Sequence, residues 1–299
     1  MRVLITGASG FIGRPLVERL SILGHEVLGI SRSIPSAPNH SQISWLQADL
    51  SSKKSYQVQV SEFSPEIVVH LAWQDIPDFS IEKSKLNLDQ SIDFISFIAK
   101  LSSCKKIIFS GSCLEYDNAK GECLENELVK GTKNHFTSAK NSLRIKAAAI
   151  CNENFISFAW FRIFYVYGPG QRSESLLPSI LSKLKEGRLP KINSPYNSND
   201  YIYVDDVVNA FSKAVAINFP SGIFNLGSGV STNVIQVCRY AEKITLNSSK
   251  LSDELEAKTD QNSSEVDFWA NIEFSSKYLE WAPKINLTEG IVKTWKSLN

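Results

Sequence analysis

Three glycines near the start of the chain have the spacing that lets a backbone approach a phosphate group. Gly7, Gly10 and Gly13 lie in the segment TGASGFIG, between a short apolar run and a longer amphipathic one. In a strand-turn-helix unit the first glycine permits the tight turn, the second lets the backbone approach a pyrophosphate, and the third lets helix and strand pack closely. The helix N-terminus adds amide donors and a positive dipole. The segment predicts a dinucleotide site, and a purely structural glycine turn is the alternative.

The end of the second predicted strand distinguishes the two nicotinamide dinucleotides. An NAD-binding protein usually places Asp or Glu here to bind the ribose hydroxyls. This chain has Ser31 and Arg32, and the segment 29–33 contains no carboxylate. Ser31 can donate a hydrogen bond, and Arg32 can form a charge-assisted pair with a 2′-phosphate. The pattern favours NADP(H) over NAD, and the alternative for Arg32 is a solvated loop charge.

The elements that position these residues alternate along the first half of the chain. Short β-branched runs suit strands buried on both faces, and the longer amphipathic runs between them suit helices. The predicted strands are 2–6, 26–30, 43–47, 67–70, 106–110 and 157–161, with a later one at 223–226 that returns to the same sheet, and the predicted helices are 11–23, 51–63, 84–101 and 139–152. The alternation predicts an α/β fold with a doubly wound parallel sheet.

Composition excludes several classes of function. The 299 residues are 43% hydrophobic and 21% charged, with a net charge of +1 and no Lys/Arg-rich block, so we expect no nucleic-acid or anionic-membrane surface. Five cysteines, an odd number without zinc-site spacing, indicate reduced thiols and no metal site. We find no signal peptide and no apolar stretch of about 20 residues. We therefore expect a cytoplasmic protein with a small-molecule partner.

Five short motifs occur in an order that resembles one enzyme family. They are TGASGFIG at 6–13, ADL at 48–50, VHLA at 69–72, RIFYVYGPG at 162–170 and DYIYVDDV at 200–207. Together they resemble the extended short-chain dehydrogenase/reductases, the group of nucleotide-sugar epimerases, dehydratases and 4-ketoreductases, over nearly the whole chain. The resemblance implies a Rossmann-type NADP(H)-binding domain over 1–168, a smaller mixed substrate domain over 169–299, and a nucleotide-sugar substrate.

The resemblance also implies binding residues by position. Besides the three glycines, the expected cofactor contacts are Ser9, Phe11, Ile12, Ser31, Arg32, Asp49, Leu50, Leu71, Ala72, Trp73, Ser110, Lys140 and Phe164. The expected substrate contacts are Ser112, Cys113, Tyr165, Leu177 and Asn199. Asn199 stands where family members often have an arginine that pairs with the substrate pyrophosphate, and Tyr165 stands where several relatives have asparagine.

The expected catalytic residues depart from the family at one position. In the family, a Ser/Thr after the fifth strand and a Tyr-x-x-x-Lys on the next helix carry the proton transfer linked to hydride transfer. Ser112 and Lys140 match this pattern, but Phe136 stands where the tyrosine is expected. Phe cannot act as an acid, and loss of a general acid typically lowers a rate by a factor of about 10² to 10⁴.

Three interpretations of Phe136 remain open. The chain is a deliberately inactivated variant made to trap substrate, or a natural binding protein without turnover, or a natural enzyme with another proton source. For that third case the candidate donors are His135, Thr137, Tyr165 and a water molecule.

The reaction type follows from the neighbours of Ser112. Dehydratases of this family carry an Asp-Glu pair directly after the catalytic Ser/Thr, whereas this chain has Cys113 and Leu114, so elimination is disfavoured. Epimerases of the group resemble permanent NAD holders with an acidic residue after the second strand, whereas Arg32 fits NADPH that is consumed in each turnover.

We therefore predict NADPH-dependent reduction of a 4-keto, 6-deoxy sugar nucleotide. The string Leu71-Ala72-Trp73, with Tyr165 and the later Phe268-Trp269, looks like reductases from surface-polysaccharide gene sets, such as those for O-antigen precursors. An NAD-dependent nucleotide-sugar 4-epimerase is one alternative. A non-catalytic NADP(H)-binding sensor or partner protein is another.

Two predicted helices carry apolar residues nearly all round. In the helix at 84–101 these residues cover more than the stripe of about 100° that packing on one sheet requires. A second buried face predicts a homodimer through the helices near 84–101 and 139–152. The alternative is that a loop or the second domain covers this second apolar face.

Overall fold

A seven-stranded parallel sheet forms the centre of the fold. The computed structural model describes residues 1–34, 41–116, 120–127, 134–258 and 266–298. The sheet consists of β1 (Arg2–Thr6), β2 (Glu26–Ser31), β3 (Ile43–Gln47), β4 (Ile67–His70), β5 (Lys106–Ser112), β7 (Ser157–Ile163) and β10 (Gly222–Leu226). Its order is β10-β7-β5-β4-β1-β2-β3, so the chain crosses over between β3 and β4. This is the Rossmann-type doubly wound topology, in which ligands bind where the strand order reverses.

Helices cover both faces of this sheet. The helices are α1 (Gly13–Ile22), α2 (Gln57–Phe63), α3 (Ile81–Ile98), α4 (His135–Glu153), α5 (Leu176–Lys185), α6 (Val204–Ala216), α7 (Val234–Leu246), α8 (Lys250–Ala257), α9 (Glu273–Leu279) and α10 (Leu287–Ser297). Val3 and Ile5 of β1 pack in one core cluster with α1 and α6, while Leu4 packs in a second cluster with α3 and α4. Because successive side chains of a strand point to opposite faces, apolar residues throughout β1 bury both faces.

A second, mixed sheet lies beside the first. It consists of β6 (Lys120–Cys123), β9 (Ser198–Tyr203), β11 (Ser231–Asn233) and β12 (Asp267–Ala270), and β8 (Tyr165–Tyr167) pairs with β9. β11 runs antiparallel to β9, whereas β12 runs parallel to both β9 and β6. β6 and β8 therefore pair in the second sheet, although both lie within the range 1–168.

The predicted strands occur in the structure, and four of them are longer than predicted. β2 extends to Ser31, β5 to Ser112 and β7 to Ile163, and β10 begins at Gly222. Predicted helix ends were less accurate. Residues 11–12 form the glycine turn before α1, and most of 51–56 is turn and a short 3₁₀ segment, Lys53–Ser55.

The start of α4 differs from the sequence prediction in a way that affects the site. The helix begins at His135, four residues before the predicted 139, because Asn134 caps it by accepting from the backbone N–H of Thr137 at 2.9 Å. Such a cap satisfies a backbone donor that would otherwise lack a partner. Phe136 and Lys140 therefore lie one helical turn apart on the same side of α4.

Membrane-spanning helices and metal-binding clusters are both absent from the described ranges. No helix there is long and apolar enough to cross a membrane. Within the same ranges, no group of three or more His, Cys, Asp or Glu side chains could hold a metal ion.

Candidate active site

The glycine turn between β1 and α1 leaves no room for a side chain at Gly7 or Gly13. Gly7 has φ +66°, and a Cβ there would lie 2.9 Å from the backbone nitrogen of Ala72. A Cβ on Gly13 would collide with the carbonyl oxygen of Gly7 and lie 2.9 Å from Cα of Ala8. The backbone N–H of Gly10 donates to the Gly7 carbonyl at 3.0 Å and closes the turn. The turn thus forms a cradle of backbone atoms, and a Cβ at Gly7 or Gly13 would fill it.

We expect Gly13→Ala to disrupt this turn. The new methyl group meets backbone atoms that cannot rotate away, so we expect a loss of about 1–3 kcal/mol in the free energy of unfolding and weaker dinucleotide binding. Urea unfolding and a cofactor titration measure the two effects. Gly222→Ala is the matched control, because its nearest contact is a Phe274 ring carbon at 3.9 Å. Equal behaviour of the two variants would contradict this account of the turn.

A cleft of about 250 Å³ opens at the carboxyl ends of β1, β2 and β4. Its lining includes ten residues that the sequence predicted as cofactor contacts: Gly7, Ser9, Gly10, Ser31, Arg32, Asp49, Leu50, Leu71, Ala72 and Trp73. It also includes five polar residues that the prediction missed: Ser33, Gln74, Asn87, Gln90 and Ser91. The last three are polar residues on the buried face of α3. Gln90 and Ser91 follow Asn87 by three and four residues, so all three lie on one side of a helix. That spacing was the signal available in the sequence.

Other predicted cofactor residues lie outside this lining. Phe11 and Ile12 are half-buried in the glycine turn and pack against the core. Gly13 packs against Gly7 and Ala8. Phe164 is 2% exposed and belongs to a small apolar cluster with Tyr116 and Phe268.

A buried histidine holds the end of β4 in place. His70 Nδ1 pairs with Thr6 Oγ1 at 2.9 Å, and its Nε2 pairs with Ser91 Oγ at 3.0 Å. Burial lowers the pKa of His70 to about 3, with a smaller contribution from the positive charge of Lys140, so the ring is neutral at physiological pH. Thr6 Oγ1 also accepts from the backbone of Ala72 at 3.3 Å. These bonds fix the segment that lines the cleft after β4.

Lys140 and Trp73 meet beside the cleft. Lys140 is 4% exposed, its Nζ donates to the carbonyl oxygen of Ser110 at 2.9 Å, and it lies 4.0 Å from the Trp73 ring centroid. Burial lowers the pKa of Lys140 to about 8, and the negative charge of Glu115 opposes this shift. The cation–π contact stabilises the ammonium in a position from which water is largely excluded.

Phe136 packs among aromatic rings next to Lys140. Its ring meets Trp73 edge-on, with the centroids 5.5 Å apart, and lies 4.7 Å from the ring of Phe79. Lys140 Nζ is 5.9 Å from the Phe136 ring centroid. The structure thus places Phe136 and Lys140 together on the side of the cleft that carries Trp73.

One of the alternative proton donors is engaged elsewhere. The hydroxyl of Thr137 donates to the carbonyl oxygen of Asn134 at 3.0 Å in the first turn of α4, and the residue is 2% exposed. His135 is exposed at the helix start, whereas Tyr165 is half-buried between Tyr201 and Phe268. The geometry therefore disfavours Thr137 as a donor.

A buried glutamate that the sequence prediction missed anchors Ser112. Glu115 is fully buried and accepts from the backbone N–H of Ser112 at 2.8 Å. It also accepts from Trp160 Nε1 at 3.0 Å and from Arg162 Nε at 3.3 Å. Arg144 lies 3.9 Å away. The available sequence signal was a pair of opposite charges, Glu115 and Arg162, in segments that otherwise bury apolar residues.

The predicted substrate contacts vary in their burial. Cys113 is 4% exposed, and burial raises its pKa well above the usual range, so it is a thiol at neutral pH. Leu177 is 4% exposed and lies on α5, on the side that packs in the main core. Asn199 is 8% exposed, and its Nδ2 donates to the Tyr201 hydroxyl at 3.4 Å. Tyr165 is more open than these three.

Known proteins share this chain's sequence pattern and fold. UDP-glucose 4-epimerase of Mycolicibacterium smegmatis is 26% identical, over 98% of this chain and 97% of its own length. The dTDP-4-dehydro-6-deoxyglucose reductase of Escherichia coli is 27% identical, over 99% and 97%. A structure of UDP-glucuronic acid 4-epimerase from Bacillus cereus, in complex with UDP-glucuronic acid and NAD, superposes with a TM-score of 0.81 at 19% identity, covering 100% of this chain and 99% of that one.

The family assignment rests on a match over most of the chain. The model of the NAD dependent epimerase/dehydratase family matches residues 3–227, which include the glycine turn, the cleft, Ser112 and Lys140. The seven-stranded sheet with its mixed neighbour agrees with that match. The chain therefore belongs to the NAD dependent epimerase/dehydratase family, within the extended short-chain dehydrogenase/reductases.

Proposed function

We propose that this chain is an NADP(H)-dependent reductase of a 4-keto, 6-deoxy sugar nucleotide in surface-polysaccharide precursor synthesis. The observation that carries the proposal is Arg32, which lies on the rim of the cleft at the end of β2, where an NAD-binding protein usually has a carboxylate. Ser31 beside it is fixed by a 2.6 Å contact with Ser9. This arrangement suits a 2′-phosphate.

Reduction fits the neighbours of Ser112 better than elimination does. Cys113 is a buried neutral thiol and Leu114 is apolar, so neither supplies the acid and base that loss of water requires. A reductase of a 4-dehydro-6-deoxy sugar nucleotide is among the relatives with full-length similarity. Both observations favour simple hydride transfer.

The glycine cradle and the cleft fit a dinucleotide, and each remaining group has a task in the proposed reaction. Bound NADPH supplies the hydride. Ser112 Oγ accepts from the backbone N–H of Leu114 at 3.2 Å, so its hydroxyl proton can be donated to the substrate carbonyl oxygen. Lys140 would hold the nicotinamide ribose. Phe136 supplies no proton, so slow turnover is expected of this chain.

The proposal includes an organisation of the protein. The range 1–168, with β10 returning to it, forms the cofactor domain, and 169–299 forms the substrate domain. The chain forms a homodimer through α3 and α4, where Leu86 and Ile145 are exposed. It works in the cytoplasm, consistent with five buried, unpaired cysteines.

Two other functions remain as outcomes of the test. An NAD-dependent nucleotide-sugar 4-epimerase is favoured by the relative of that class in Mycolicibacterium smegmatis. A non-catalytic NADP(H)-binding sensor or partner protein is favoured by Phe136, because such a protein needs the cradle and Arg32 but no general acid.

Equilibrium fluorescence titration with NADPH and NADH tests the cofactor. We expect NADPH to bind at least about tenfold tighter, and Arg32→Ala to remove that preference while NADH binding stays nearly unchanged. Arg19→Ala is the matched control, because Arg19 is exposed in the last turn of α1. A preference for NADH in the unmutated chain would refute the NADP(H) assignment and favour the 4-epimerase.

A further inference from the structure

Arg32 is exposed to solvent, but a hydrogen bond holds its guanidinium at the cleft. Its Nη1 donates to Oε1 of Gln74 at 3.0 Å, and both residues line the cleft. The two come from different parts of the sheet edge, because Arg32 follows β2 and Gln74 lies four residues after β4. The side-chain amide of Gln47 also donates to the Arg32 carbonyl at 3.1 Å.

Gln74 is itself fixed by α3. Its backbone N–H donates to Asn87 Oδ1 at 2.6 Å, and its Nε2 donates to Gln90 Oε1 at 2.6 Å. Asn87 is 3% exposed and Gln90 is 8% exposed, so both supports are buried. With its Nε2 bound to Gln90, the Gln74 amide presents its oxygen to Arg32. A chain of hydrogen bonds thus connects α3 to the guanidinium.

The acceptor that holds Arg32 is a neutral amide oxygen, so this contact does not offset the positive charge of the guanidinium. An amide oxygen orients a guanidinium without neutralising it, and the fork keeps further donors for a phosphate. Asp75, the next residue after Gln74, forms an ion pair with Lys83, in which Oδ2 lies 2.6 Å from Nζ. Asp49 is closer to the site, but its Oδ1 accepts from the backbone N–H of Ser51 at 2.8 Å. Hydrogen bonds from Ser51, followed by the positive charge of Arg32, hold the pKa of Asp49 low.

We propose that Gln74 is a specificity-determining residue for the cofactor, which positions Arg32 over the cleft so that its guanidinium meets a 2′-phosphate. The inference rests on the proposed NADP(H) cofactor. A glutamate at this position would have nearly the same shape, but would form a salt bridge with Arg32 and repel a 2′-phosphate. Cofactor preference is therefore set by an amide on the loop after β4 as well as by Arg32 at the end of β2.

The test measures NADPH and NADH dissociation constants for Gln74→Glu and Gln74→Ala by fluorescence titration. We expect Gln74→Glu to lower the NADPH:NADH preference by about tenfold or more while NADH affinity changes by less than about twofold, and Gln74→Ala to have a smaller effect. Gln59→Glu, on the exposed side of α2, controls for the added charge. Thermal melting of each variant separates a change in cofactor preference from loss of fold.

A double-mutant cycle shows whether Gln74 acts through Arg32. In an Arg32→Ala background, Gln74→Glu should no longer change the preference, because the residue to be positioned is absent. If the unmutated chain prefers NADPH and Gln74→Glu leaves the preference unchanged, or acts equally in both backgrounds, the inference is wrong while the proposed cofactor stands. If the unmutated chain prefers NADH, the proposed cofactor fails, and the inference fails with it.

Discussion

Phe136→Tyr is expected to raise the rate of NADPH-dependent reduction of a 4-keto-6-deoxy sugar nucleotide by a factor of about 10² to 10⁴. The substitution adds one hydroxyl to a ring that lies one helical turn before Lys140. Lys140 Nζ is 5.9 Å from the ring centroid, so its positive charge favours ionisation of a phenol at this place. Loss of NADPH absorbance measures the rate.

Two variants make this test specific. Phe79→Tyr adds the same hydroxyl to the neighbouring ring, 4.7 Å away between centroids, and should produce no gain. Adding Lys140→Met to Phe136→Tyr should remove most of the gain, because the positive charge beside the new phenol is then absent. If Phe136→Tyr binds NADPH normally but gains no turnover with any 4-keto sugar nucleotide, the non-catalytic binding protein becomes the better interpretation.

Glu115→Gln is expected to lower the free energy of unfolding by about 3–5 kcal/mol, the usual result of removing one partner from a buried ion pair. The substitution preserves the shape of the side chain, but a neutral amide leaves Arg162, which is 1% exposed, without its counter-charge. It also weakens the acceptor for the backbone N–H of Ser112. Urea unfolding followed by circular dichroism measures the change.

An exposed glutamate provides the control for this prediction. Glu18 lies 3.7 Å from Arg14 on α1, and their side chains are 43% and 54% exposed. Glu18→Gln should change the free energy of unfolding by less than about 1 kcal/mol, because solvent screens surface ion pairs. Similar losses in the two variants would show that the charge of Glu115 does not carry the stability of this region.

The central sheet was predictable because its strands are buried on both faces. Runs such as Val3 to Ile5 are apolar without alternation, and this pattern is typical of a parallel sheet covered by helices. The glycine turn was predictable because its geometry depends on backbone alone. The second sheet was not predicted, because strands such as β11, with three residues, are too short for a periodic pattern.

Within the candidate site, sequence reasoning named ten residues that line the cleft, but not the residues that support them. Gln74, Asn87 and Gln90 act through contacts that exist only once α3 has packed beside the cleft. Glu115 likewise gains its role from Trp160 and Arg162, which are 45 and 47 residues away in sequence. Such partners are set by tertiary packing, which local patterns do not encode.

Transfer of deuteride tests the proposed reaction most directly. The unmutated chain is incubated with each C4-deuterated epimer of NADPH and a 4-keto-6-deoxy sugar nucleotide, long enough to detect slow turnover, and the product is examined by mass spectrometry and NMR. We predict deuterium at C4 of the sugar from one of the two epimers, with one NADP⁺ formed for each product. Interconversion of 4-hydroxy epimers without net cofactor oxidation, or no incorporation from either epimer, would contradict the assignment as a reductase.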